Sequence, residues 1–77
     1  MTEKELAMEL RQRYDKAKIN EATLETHLFG IDYAGEIKSN AYNIAKIVEL
    51  AGLGKGYVAE ISKGIKLAER VERKEDR

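Results

Sequence analysis

The sequence predicts an all-α fold, a compact four-helix domain whose last two helices form a helix-turn-helix. Three observations carry this expectation. Proline is absent, and proline would break a helix interior by removing a donor and clashing with the preceding turn. Apolar residues recur at three- and four-residue spacing in four stretches separated by cap and glycine signals. The run Ile47-Val48-Glu49-Leu50-Ala51-Gly52-Leu53-Gly54-Lys55-Gly56-Tyr57-Val58-Ala59-Glu60-Ile61 reads as helix, tight glycine turn, helix.

Helix one is expected over about residues 3–18. Thr2 caps it and Glu5 stands three positions later, the layout of a capping box. Leu6, Leu10, Tyr14 and Ala17 form one apolar stripe, so this helix packs on one side. Helix two is expected over 21–36 with Asn20 as its cap. Its two apolar stripes, Leu24-Leu28-Ile31 and Phe29-Tyr33-Ile37, place it centrally between neighbours. Gly30 inside it marks a close helix crossing or a kink, and Gly35 is a candidate early end. Ser39 is the expected cap of helix three, 40–51.

Ala51 is small enough for close helix approach, and Gly52 supplies the left-handed cap that ends helix three. Leu53 fills the corner. Helix four is expected over 57–72, with Tyr57, Val58, Ile61, Gly64, Ile65, Leu67, Ala68 and Val71 on its inner half. A charged tail follows from about residue 73, and residues 1–77 are expected to form a single domain.

Composition excludes several classes. With no cysteine there is no disulfide framework, thiolate metal site or thiol nucleophile. The N-terminus lacks the layout of a signal peptide and no apolar run is long enough to span a bilayer, so a cytoplasmic protein is expected. Formal net charge is zero, but the halves differ. Residues 1–37 carry five basic and eight acidic side chains, a balance of −3, and residues 38–77 carry nine and six, a balance of +3. An anionic partner should meet the second half.

A helical wheel sharpens that expectation. Lys55, Lys63, Lys66, Arg70, Arg73, Lys74 and Arg77 gather within roughly 100° of arc on the side opposite the apolar half of helix four. Glu60, Glu69 and Glu72 fall outside that arc. The sign suits a phosphate backbone, and the position is that of a recognition helix facing a major groove. The same pattern also arises on a plain solvated helix face in a chain that is 36% charged, through ordinary i, i+4 pairs such as Glu69 with Arg73. The first turn of helix four offers Lys55, Gly56 and Tyr57 near a groove, a poor set for reading base edges. Binding is therefore expected to be led by phosphate contact and shape.

Other candidates have plainer readings. Gly54-Lys55-Gly56 before a helix N-terminus could hold one phosphate, but it lacks the spacing and following Ser/Thr of a P-loop and reads first as a turn. His27 is the only histidine, and without a second ligand it is a boundary residue rather than a metal ligand. Tyr14, Tyr33, Tyr42 and Tyr57 read as core or core-edge residues. No acid pair suits catalysis, so no enzyme, cofactor, metal or small-molecule substrate is expected.

Two blocks, His27-Leu28-Phe29-Gly30-Ile31-Asp32-Tyr33-Ala34 and Tyr57-Val58-Ala59-Glu60-Ile61-Ser62-Lys63-Gly64-Ile65-Lys66-Leu67-Ala68, make the chain resemble the small bacterial HTH-like (helix-turn-helix-like) domain proteins over most of its length. The resemblance implies a compact helical domain with DNA binding as its expected activity, and it transfers no catalytic residue. It also implies that Gly30, Tyr33 and Lys63-Gly64 are family features. The expected partner is DNA, contacted through Lys55, Gly56, Tyr57, Lys63, Lys66 and Arg70, for a small transcription regulator or a DNA-binding accessory. The alternative is a protein-interaction module that meets another protein or forms a homodimer.

Overall fold

The computed structural model describes residues 1–70. Four helices follow one another, α1 (Glu3–Lys16), α2 (Ala22–Ser39), α3 (Ile44–Leu50) and α4 (Gly56–Leu67), and no strand occurs among the described residues. The all-α, four-helix expectation holds, while several boundaries move.

The α1 capping box forms as its spacing requires. Thr2 Oγ1 accepts from the Glu5 amide at 3.1 Å, and Glu5 Oε1 accepts from the Thr2 amide at 2.8 Å. These bonds hold the Glu5 carboxyl below its usual range, with the Thr2 amide as the largest cause. The helix stops at Lys16, two residues before the expected end, because Ala17 is extended. Asn20 takes a left-handed conformation, φ 67°. It therefore turns the chain instead of capping α2, whose N-cap is Glu21 without a side-chain bond.

α2 passes straight through Gly35 and ends three residues later than expected. Its end is a Schellman turn. Ala41, at φ 53°, lets the Tyr42 amide reach Ile37 O at 3.0 Å and its own amide reach Lys38 O at 3.2 Å. That turn uses residues assigned from sequence to helix three. The true cap of α3 is Asn43, whose side chain accepts from the Lys46 amide at 3.2 Å, not Ser39. At the other end of α3 the glycine signal was right. Gly52 has φ 74°, and Leu53 and Gly52 donate to Val48 O and Glu49 O at 3.1 and 3.0 Å.

Leu6, Ala7, Leu10, Phe29, Ala34, Ile37, Ile47, Val48, Ala51, Ile61 and Ile65 form the core, with Leu53, Tyr57 and Val58 against its edge. α2 lies between α1 and α4. Its Phe29 and Ile37 stripe is buried, but Leu24 is exposed and Leu28 and Ile31 are half-buried, so the second stripe is not closed over. Buried Thr26 satisfies its hydroxyl by donating to Ala22 O at 2.8 Å. Arg13 clamps α1 to α2. It bonds Glu9 at 2.8 Å and Asp32 at 2.9 Å and lies over the rings of Phe29 and Tyr33. Burial pulls its guanidinium pKa down, but the two carboxylates outweigh that and leave it raised.

Candidate nucleic-acid interface

α4 presents the basic side chains, and its placement is set by glycine. A Cβ on Gly30 would stand 2.5 Å from Ile61 O and 3.1 Å from the Gly64 Cα, and one on Gly64 would strike His27 O. The two helices thus meet backbone to backbone, the close crossing that Gly30 allowed and not the kink. Ile61, Gly64 and Ile65 turn inward, and Lys55, Ala59, Lys63, Lys66 and Arg70 are all exposed.

The four described cations are not equivalent. Lys63 Nζ lies 3.5 Å from Glu60 Oε1, so a carboxylate does reach the edge of the stripe. The other oxygen of Glu60 lies 2.5 Å from His27 Nε2, which is buried and makes no well-angled hydrogen bond there. This is a close charge contact when the ring is protonated, rather than a directed bond. The wheel puts Glu60 simply outside the arc. Its contact with His27 joins α4 to α2, and helix periodicity carries no signal for a pair on two different helices.

Glu69 bonds Lys38 at 2.6 Å, across to the end of α2. The pairing expected with Arg73 lies outside the described residues, as do Val71, Glu72, Lys74, Arg77 and the charged tail. Glu69 is held below its usual range first by the Lys38 hydrogen bond and then by its charge, with Lys66 adding to the effect. Lys55 and Arg70 have no ion pair among the described residues.

Regular α-helix ends at Leu67, earlier than the expected 72. The amides of Glu69 and Arg70 donate to Lys66 O and Leu67 O, three residues back, at 3.2 and 2.9 Å. This tighter turn carries Arg70 out of the α-helical phase assumed by the wheel.

The N-terminal turn of α4 offers fewer free amides than the glycines suggested. Tyr57 and Val58 already donate to Gly54 O and Lys55 O at 3.1 and 3.0 Å. Gly56 is exposed, and its missing Cβ would meet nothing within 4 Å. Tyr57 is half-buried and stacks edge-on against Tyr14 of α1, with ring centroids 5.7 Å apart. Burial and Tyr14 together push its phenol pKa up. Tyr14 in turn lies under the Arg11 guanidinium, which also reaches Ala51 O at 3.3 Å. An Arg11–Tyr14–Tyr57 run therefore ties α1 to both sides of the glycine corner, a set of contacts the sequence did not reveal.

Among the described residues no group of three or more His, Asp or Glu side chains could hold a metal ion. None of their helices is long and apolar enough to cross a membrane. No curated protein and no solved structure matches the chain. Its residues 2–74 match the model of one family, the HTH-like domain, in keeping with four helices and a glycine-cornered α3–α4 pair, and the chain belongs to the HTH-like domain family.

Proposed function

We propose that this protein binds duplex DNA through the exposed side of α4, as a small bacterial, cytoplasmic transcription regulator or DNA-binding accessory. The observation that supports this most is the exposure of Lys55, Lys63 and Lys66 along the outer side of α4, with Arg70 exposed just beyond its end, in an HTH-like chain. These side chains contact phosphates. Gly56 lets the duplex approach the first turn closely, and Tyr57 supports that turn from beneath through Tyr14. The contact set holds almost no base-reading chemistry, so affinity is high in salt dependence and low in sequence discrimination. Catalysis, a cofactor and a small-molecule substrate have no part in this reading. Residues 1–77 act in it as one domain.

Fluorescence titration of a labelled mixed-sequence duplex tests it. With three or four phosphates neutralised, log K should fall against log salt with a slope of roughly −3 to −4. Lys66→Ala and Lys55→Ala should each reduce that slope by about 1 and weaken all sequences alike. Absence of binding at low salt refutes the proposal.

A further inference from the structure

α1 buries one stripe and leaves another unpartnered. Lys4, Met8, Arg11 and Asp15 stand four, three and four residues apart and share about 60° of helix arc. All four are exposed. The 4-3-4 spacing is that of a seam between two packed helices. Met8, 58% exposed, and Leu50 of α3, 47% exposed, are large apolar side chains in water. With Ala7, Arg11 and Ala51 they line a groove of about 350 Å³ between α1 and α3.

The charges on this stripe are ordered, with a cation at its N-terminal end and a carboxylate at its C-terminal end. Other α1 acids have partners elsewhere. Glu5 serves the capping box, Glu9 bonds Arg13, and Glu3 accepts from the Asn43 amide at 2.8 Å. Lys4 has no ion pair among the described residues. Asp15 lies 3.1 Å from Arg11 Nε, yet its side chain remains 55% exposed and can accept further donors.

We infer that this face pairs with a second copy of the chain, α1 against α1, antiparallel about a two-fold axis. In that arrangement each Lys4 meets the Asp15 of the other copy, so the ion pair forms twice. Each Met8 lies against the aliphatic stem of the opposite Arg11, with Leu50 closing the side of the groove. A parallel pairing sets Lys4 against Lys4 and Asp15 against Asp15, which selects the antiparallel form. One exposed stripe and its groove make a small interface, so the dimer is weak and concentration-dependent. The inference does not depend on DNA binding.

Sedimentation velocity of the full chain without DNA, from about 5 μM to about 500 μM, reads it directly. Met8→Asp enters the interface twice and should raise the dissociation constant more than about tenfold. Lys4→Asp and Asp15→Lys should each raise it about fivefold, since each replaces two attractions by two repulsions. The double variant Lys4→Asp/Asp15→Lys restores the pairing with reversed polarity and should return to within about twofold of the parent. All these positions are exposed, and helix content by circular dichroism should be unchanged. A parent protein that stays monomeric throughout the range overturns the inference. So does a double variant no better than its single components, or a dimer indifferent to Met8→Asp.

Discussion

α4 meets its two neighbours in opposite ways. Against α2 it is in backbone contact, Gly64 over Gly30, with no side chain between them. Against α3, its partner in the helix-turn-helix, it leaves a cleft of about 450 Å³ lined by Ala45, Val48, Glu49, Leu53, Lys55 and Val58. The first contact fixes position because close-packed backbone has no rotamer to give. The second can adjust its side chains. The orientation of the basic face is therefore set from behind, by α2, and the α3–α4 corner supplies the turn. A helix-turn-helix is usually argued from the two helices that name it. Here the rigid unit is α2 with α4.

The sharpest way to break that contrast is one methyl group. Gly64→Ala drives a Cβ into His27 O, and Gly30→Ala drives one into Ile61 O. Neither carbonyl can move without disturbing its own helix. Each variant should lose more than about 3 kcal/mol, a large share of what a domain this small has. Thermal unfolding by circular dichroism should show it as a much lower or absent transition. Gly35→Ala is the control within the same helix, since its Cβ meets nothing within 4 Å. It should stabilise by about 0.5–1 kcal/mol. Equal effects at Gly35 and Gly30 would dispose of the backbone-contact account.

The same contrast explains what could be read from the chain. The all-α class, the capping box, the buried Ile61, Gly64 and Ile65 of α4 and the Gly52 corner were legible because each rests on residues a few positions apart, whereas Leu67, expected on the inner half, is exposed at the last turn of the helix. The ends of α2 and α3 were not. Two Schellman turns have the same hydrogen bonds, but one holds Gly52 at its left-handed position and the other holds Ala41. Alanine there gives no signal, so Gly35 and Ser39 looked like better boundaries. Of the candidate site, exposure of the cations followed from periodicity. The contacts of Glu60 with His27 and of Glu69 with Lys38 did not, because His27 and Lys38 lie on another helix.

These two turns give the next largest effects, with opposite signs. Gly52→Ala forces alanine to φ 74°, while its Cβ would sit an ordinary 3.5 Å from the Arg11 guanidinium. The cost is then conformational, about 1 kcal/mol of stability lost. Ala41→Gly relieves φ 53° at an exposed site. It should gain a few tenths to about 1 kcal/mol, because relief of the left-handed strain is partly offset by a looser unfolded chain. Urea unfolding of both variants reads the pair. A stabilised Gly52→Ala, or a destabilised Ala41→Gly, would mean that packing and not backbone conformation decides these positions.

The smallest effect belongs to the far end of the α2–α4 contact, where Lys38 and Glu69 pair in full solvent. Their bond holds the Glu69 carboxyl below the ordinary glutamate value of 4.5. A carboxyl whose pKa is lowered by folding contributes stability that is complete above its unfolded value and lost as pH falls through its folded one. The contribution is thus present at neutral pH and fades below pH 4.5. Lys38→Met should lower the melting temperature slightly at pH 7, less so in high salt, and the gap from the parent should close in acid. Glycine contact carries no charge, so the Gly35 and Gly30 variants should keep their separation across the same range as long as both remain folded. A gap for Lys38→Met that is constant from neutral to acid pH would assign Lys38 to the packing of its aliphatic stem, and the Lys38–Glu69 charge pair would then add nothing to the backbone crossing.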